Sequence, residues 1–365
     1  MLFKNFSLKE LKDYFHNYGK EEFRARRLYK YIYKENCYDT DRMVDLPIFL
    51  RNIIKQDFEF TTCKVIHIQK SYDETKKYLI QLYDGNTIES VAIPYKKRFT
   101  VCLSTQVGCN IKCSFCKTGE TGFIRNLLPC EIIEQFILLR NDLPKNRGIT
   151  NIVLMGIGEP LLNLDNVIKF IDIITEPNGL NFPASKITVS TVGIPDKIRE
   201  LGSIKKEVGL AISLHAPNNE IRNKLIPINR IYPIETLLKA CKDYPTKKKK
   251  NITFQYILIK SLNDSLKEAR ELSKILNGIP AKINLIPYNP IETLKFQVPT
   301  EESIEQFQNF LMDKGFYTVV RDSRGKDINA ACGQLKANYS GLKLLLSTPQ
   351  TGQIQSDGNS STVNV

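Results

Sequence analysis

The chain has 365 residues, 42% hydrophobic and 25% charged, with nine cysteines and a net charge of +13. That composition excludes a fibrous or fully disordered chain and suits a large globular core with a smaller companion. No apolar run reaches bilayer length and the first residues lack a signal-like apolar stretch, so a cytoplasmic protein with no membrane partner and reduced thiols is expected.

Nine cysteines in such a chain point to metal or thiol chemistry rather than a disulfide framework. The positive excess favours a polyanionic partner, nucleic acid first, although a lysine-rich solvated surface gives the same count. Residues 1–57 read as helical. In EEFRARRLYKYIYKE, Ala25, Leu28, Tyr29 and Ile32 recur at helical spacing among Arg24, Arg26, Arg27 and Lys30. This suits a helical accessory domain that touches RNA, or equally a packing domain with a basic solvated face. Residues 58–98 form a second segment, in which two β-like runs flank Asp84-Gly85, a hairpin signal. Period-two alternation puts Glu89 on the face of Val91 and Ile93, an unusual place for a carboxylate unless it reaches water at an edge. The basic patch Lys96, Lys97, Arg98 ends the segment.

From residue 99 to 345, strand-like runs (FTVCLS, NIVLM, KITVST, GLAISLH, ITFQYILI, AKINLIPYN, YTVVRD) alternate with helix-like runs starting near Pro129, Leu164, Ile194, Ile234, Ser265 and Glu301. Repeated βα units predict a parallel sheet with helices outside, and this number of units suits a complete or partial (β/α) barrel. The stretches QVGCNIKCSFC, GIGEP, STVG, SLHAPN and PYNP all fall at strand ends, so they converge on one barrel mouth. Residues 247–250, all lysine, read as an exposed loop, and the polar residues 346–365 as a disordered tail.

Cys109, Cys113 and Cys116 stand at C-x3-C-x2-C spacing. Thiolates hold zinc or iron–sulfur clusters. Structural zinc takes four ligands, and Cys102 or Cys130 could supply a fourth. Three structural cysteines without metal are the remaining reading. Three ligands on a four-iron cluster leave one iron open, as a catalytic metal requires, and the spacing favours this [4Fe-4S] reading.

CNIKCSFC has the C-x3-C-x-aromatic-C pattern of radical S-adenosylmethionine (SAM) enzymes, and MGIGEP resembles their glycine-rich SAM-binding turn. More closely, ESVAIPY, CLSTQVGCNIKCSFC, GFIRNL, LMGIGEPLLNLDNV, AISLHAPNNEIRNKLIPIN, KINLIPYNP and DINAACGQL resemble, in that order, the RlmN family of dual-specificity RNA methyltransferases. The resemblance runs from about residue 20 to 340. It implies an α/β fold, the radical-SAM partial (β/α) barrel. It also implies a [4Fe-4S] cluster on Cys109, Cys113 and Cys116, and SAM held by Gly158, Glu159, Ser190, Ser213, Leu214, His215 and Asn289. Cys332, which alone reads as a small buried hydrophobe, would be methylated and carry the methyl group to RNA. Cys102 would close a transient disulfide with Cys332, and Glu89 would accept a proton, its apolar face favouring the neutral acid.

The implied reaction uses two SAM molecules because adenine C2, between two ring nitrogens, is too electron-poor to attack a methyl cation donor. One SAM methylates Cys332. The other, split by the reduced cluster, gives the 5′-deoxyadenosyl radical that removes hydrogen from that methyl. The carbon radical adds to C2, Glu89 takes the C2 proton, and Cys102 attacks the Cys332 sulfur to free the product. The implied substrates are an adenosine in the peptidyl-transferase centre of 23S rRNA and the adenosine 3′ to the anticodon in some tRNAs, each of which must leave its stack. A small electron-transfer protein is the implied reductant, and a monomer is expected. Lys117 stands where the family has a small residue, and Gln255 where glutamate is common. The rivals are a Cfr-type C8 methyltransferase, disfavoured by Pro160 in GEPLLNL, and a zinc-stabilised RNA-binding protein without catalysis.

Overall fold

The computed structural model describes residues 1–17, 22–245 and 251–336; the lysine run at 247–250 and the tail at 346–365 lie outside them. The first helices are α1 (Leu8–Asn17), α2 (Glu22–Tyr33) and α3 (Ile48–Asp57). The predicted stripe of α2 is its buried face: Ala25, Leu28, Tyr29 and Ile32 have no exposed surface. Phe3 packs against Tyr29, Tyr33 and Phe58 with ring centroids 5.4–6.3 Å apart, so aromatic contacts hold these helices together.

One buried ion pair fastens this helical part to the rest. Lys4 Nζ lies 2.7 Å from Glu134 Oε1, both side chains 3% exposed. Glu134 is on α4 (Pro129–Asp142), and its other oxygen accepts the Thr62 and Cys63 N–H groups at 2.9 and 2.7 Å. Burying two charges is tolerable here because each finds a partner and the carboxylate's second oxygen is also satisfied.

The strands β1 (Cys63–Lys70), β2 (Lys76–Leu82) and β3 (Thr87–Tyr95) form an antiparallel meander that continues onto β4 (Arg98–Leu103). The hairpin expected around Asp84-Gly85 is therefore β2–β3, with β1 as a third strand. Next, β5 (Gln106–Gly108) and β6 (Phe123–Asn126) make a separate two-stranded ribbon around the cysteine loop. The remaining strands are β7 (Gly148–Leu154), β8 (Ile187–Thr191), β9 (Gly209–Ser213), β10 (Ile252–Leu258), β11 (Ala281–Pro287) and β12 (Tyr317–Val320). They follow β4 in chain order, every neighbouring pair parallel. Helix α4 and α5 (Leu164–Ile174), α6 (Pro195–Ser203), α7 (Asn219–Leu225), α8 (Ile234–Asp243), α9 (Leu266–Ile275) and α10 (Glu301–Asp313) fill the crossovers.

The result is one ten-stranded sheet with β1 and β12 at its ends, a partial barrel rather than a closed one. The segment after β12 crosses the opening. The Asp327 carboxylate accepts from the Ser71 hydroxyl at 2.5 Å, the Gly325 N–H donates to Asp73 at 3.0 Å, and Lys77 donates to the Asn329 carbonyl at 3.3 Å. The chain that leaves one end of the sheet is thus tied to the meander at the other. Among the described residues no helix is long and apolar enough to cross a membrane.

Glu134→Ala leaves the buried Lys4 ammonium without a counter-ion, with only the Phe60 carbonyl as acceptor, and two N–H groups without theirs. It is expected to lower the unfolding free energy by about 3–5 kcal/mol, read from urea denaturation followed by circular dichroism.

Candidate active site

The carboxyl ends of the parallel strands open on one cavity, as expected for a barrel of this kind. Its wall includes Cys109, Cys113 and Cys116 on one side, and Gly158, Glu159, Ser190, Ser213, His215 and Cys332 around them. Nine sequence-predicted residues therefore meet in one place. The β5–β6 ribbon shapes the cysteine loop by a close crossing. Gly108 has φ +73°, and a Cβ there would fall 1.8 Å from the Gly122 carbonyl oxygen, so only glycine fits.

The three cysteines pack against Ile111, Phe115, Ile221, Leu225 and Tyr288. Burial pushes the Cys109 thiol up to about 12 and raises those of Cys113 and Cys116. Metal binding needs thiolates, so loading the site must release protons. Among the described residues no three His, Cys, Asp or Glu side chains converge on a point that suits a single ion. A four-iron cluster places each thiolate on a different iron and asks for no such convergence. The donor set, three thiols facing a cavity, fits the cluster, with SAM beside it.

On the opposite wall, Gly158 has φ +106°, and a Cβ would lie 2.5 Å from the Gln106 Cβ. Gln106 Oε1 accepts the Glu159 N–H at 2.8 Å, which fixes the turn. The Glu159 carboxylate accepts the N–H groups of Leu161 and Val192 at 3.0 and 2.9 Å. Burial nonetheless pushes its pKa up to about 7. The His215 Nδ1 accepts the Ile257 N–H at 2.9 Å, which leaves the ring proton on Nε2 as a donor. Burial and the nearby Arg222 push its pKa down to about 3, so the ring is neutral. Ser190 and Ser213 both donate to Gln255 Oε1, at 3.3 and 3.2 Å. Gln255, noted as a departure, thus joins two predicted SAM contacts and itself lines the cavity. The Leu214 side chain is fully buried and absent from the cavity wall, where only its backbone has neighbours in common with the site.

The loop bearing Cys332 is held from three sides. The Asn289 side chain donates to the Cys332 carbonyl at 3.2 Å. The Lys117 N–H donates to the Gly333 carbonyl at 2.8 Å, and the Thr118 hydroxyl to the Leu335 carbonyl at 2.7 Å. The Lys336 N–H donates to Glu89 Oε2 at 2.7 Å. Asn289 therefore positions the Cys332 loop here and is not part of the cavity wall. Cys332 is surrounded by protein, which raises its thiol pKa, yet it is exposed because it borders the cavity.

Glu89 and Cys102 stand behind that loop. Cys102 pairs with Val91, two residues from Glu89, so both project from one face of the sheet. Cys102 packs with Val91, Ala330 and Leu335, and it feels the Cys332 thiol electrostatically. Burial pushes it up to about 12. Glu89 is only 5% exposed. Its setting differs from the bare apolar one expected, since Lys77 Nζ lies 3.3 Å from Oε1. Lys77 pairs with Val91 across the ladder and so sits diagonally to Glu89 on the same face.

Sequence reasoning missed Ser104, Gln106 and Arg222. Ser104 donates to the Glu89 carbonyl at 2.6 Å and accepts the Ile157 N–H at 2.8 Å, joining the Glu89 strand to the glycine-rich turn. A run of polar residues directly after the apolar strand FTVCL was the available signal.

Because Glu159 binds its proton more tightly folded than unfolded, its contribution to stability is greatest below pH 4.5 and is lost as pH rises to about 7. In metal-free, SAM-free protein, the stability of wild type relative to Glu159→Gln is expected to fall by about 3 kcal/mol across that window and to stay level above it, measured by denaturation at each pH.

Comparison with known proteins agrees with this geometry. Residues 3–60 match the ribosomal RNA large subunit methyltransferase N-terminal domain, and residues 103–272 the radical SAM superfamily. A dual-specificity RNA methyltransferase RlmN of Syntrophotalea carbinolica is 46% identical over 347 residues, covering 95% of this chain and 91% of the relative. Another, from Nitratiruptor sp., is 44% identical and covers 88% of this chain and 95% of its own. The crystal structure of a radical SAM methyltransferase from Sphaerobacter thermophilus superimposes with a TM-score of 0.87 at 39% identity, over 93% of this chain and all of that one. The chain belongs to the RlmN family of dual-specificity RNA methyltransferases, within the radical SAM superfamily.

Proposed function

We propose that this chain methylates C2 of an adenosine in the peptidyl-transferase centre of 23S rRNA and of the adenosine 3′ to the anticodon in some tRNAs, with Cys332 carrying the methyl group. The observation that carries this reading is the sharing of one cavity by the three-cysteine wall, the Gly158-Glu159 turn and Cys332. Cys109, Cys113 and Cys116 hold the [4Fe-4S] cluster, which when bound supplies the electron for reductive cleavage of SAM. Glu159 as a carboxylate suits the SAM ammonium group. The Ser190 and Ser213 hydroxyls and the His215 Nε2–H are donors for the rest of the ligand, with Leu214 contributing backbone and Asn289 holding the methyl carrier in place.

The two groups behind Cys332 then have distinct tasks. Glu89 accepts the C2 proton. Cys102 attacks the Cys332 sulfur, closing a disulfide and releasing the RNA. With its thiol pushed up to about 12, Cys102 must lose a proton to attack. Glu89 already holds the C2 proton, so the Cys102 proton goes to the methylene carbon as the Cys332 carbon–sulfur bond breaks, which completes the methyl group. The net charge of +13 supports binding of an RNA backbone, and the exposed Lys96, Lys97 and Arg98 at the β3–β4 turn are cations for it. This reading divides the chain into an accessory domain at 1–57, the segment 58–98 that brings Glu89, and the core at 99–345. It takes a small electron-transfer protein as reductant, a monomer as the working form, and the cytoplasm, where ribosomes and tRNA are found, as the location.

Nucleoside mass spectrometry of rRNA and tRNA from cells with and without the chain is expected to show loss of 2-methyladenosine in its absence; loss of the 8-methyl isomer instead would favour the Cfr-type alternative. Protein made anaerobically with cluster-assembly factors is expected to carry a methyl group on the Cys332 peptide, and an unmodified peptide would remove Cys332 as carrier. Cys102→Ala is expected to accumulate a covalent protein–RNA species, visible as a mobility shift sensitive to ribonuclease.

A further inference from the structure

Arg222 is a fully buried arginine, the largest side chain with less than 2% exposure among the described residues. It lies on α7, whose Ile221 and Leu225 pack directly against the cysteine loop. The Ser114 N–H, between Cys113 and Cys116, donates to the Leu225 carbonyl at 3.0 Å. The guanidinium donates to the carbonyls of Leu214 (3.0 Å), Ser213 (3.3 Å) and Val192, and to Asn229 Oδ1 (2.7 Å). Every one of these acceptors is neutral. A buried cation without an anion is costly, and removing a partner from a buried pair is among the most destabilising changes known.

The surroundings indicate which anion is meant to balance it. The titratable groups that interact with Arg222 are Cys113, Cys241 and His215. Burial pushes Cys241 up to about 12 and His215 down to about 3, so both are neutral near pH 7. Burial pulls Arg222 down only to about 10, so it keeps its charge. What remains is the cysteine loop, where three thiolates and a four-iron core carry net negative charge. One-electron reduction makes that site more negative by one charge, with no proton taken up.

We propose that Arg222 is the counter-charge of the iron–sulfur cluster, a positioning residue that makes one-electron reduction of the cluster easier while bracing the ends of β8 and β9. The proposal rests on the functional reading above and adds to it the group that tunes the cluster. An adjacent, preorganised positive charge in a dry site stabilises the more negative state far more than the same charge would in water.

Two variants separate charge from bracing. Arg222→Gln removes the charge and part of the bracing. Asn229→Asp keeps the guanidinium and its hydrogen bond but places a carboxylate against it. The cluster's midpoint potential is read by electron paramagnetic resonance during a mediated dithionite titration of anaerobically reconstituted protein. Both variants are expected to shift the one-electron couple to lower potential by at least a tenfold change in the reduction equilibrium, 59 mV, while Arg222→Lys stays near wild type. Unchanged potentials in Asn229→Asp and Arg222→Gln proteins with full iron content would overturn the proposal. A wild-type protein that holds no four-iron cluster would overturn the functional reading instead.

Discussion

The hydrogen bond from the Lys336 N–H to the Glu89 carboxylate is the contact on which the site depends. It joins the third strand of the meander to a segment 247 residues later in the chain. The same segment is pinned to the cysteine loop through Thr118 and to the end of β11 through Asn289. A closed barrel would leave no room for this arrangement. Because the sheet ends at β1 and β12, the chain after β12 crosses the opening, and Cys332 is delivered beside the three thiols and in front of Cys102.

A second theme is the management of charge without water. Glu159, Arg222, Glu89 and the Lys4–Glu134 pair are all buried. Lys4 and Glu134 satisfy one another, and Glu89 has Lys77. Glu159 has only neutral donors, and Arg222 only neutral acceptors. Of these two buried ions without counter-ions among the described residues, Glu159 lines the cavity and Arg222 is bonded to the backbone of Val192 and Ser213, which line it. That is where incoming charged groups, the SAM ammonium and the cluster, would complete them.

Local pattern carried much of the architecture. The helical stripe of α2 and the alternation of apolar strands with amphipathic helices from residue 99 onward are legible because each is a short-range periodicity. β1 was missed because CKVIHIQK lacks a clean alternation, and its exposure along the strand is irregular. α7 was missed because seven residues give too few turns to show a period. The cysteine spacing, the glycine-rich turn and the strand-end polar residues marked the site, since a parallel sheet sends all its strand ends to one side.

The sequence by itself determined the alternating α/β core, the three-cysteine loop, and nine of the residues that line the cavity. These are properties of neighbouring residues and of a regular topology. Only the tertiary structure decided that the barrel stays open, that Glu89 is paired with Lys77, that Gln255 gathers Ser190 and Ser213, and that the helix carrying Arg222 packs against the cysteine loop. Each of those facts is a contact between segments far apart in the chain. Its partners are selected by which buried polar groups remain unsatisfied once the sheet is assembled, a condition that no local pattern encodes.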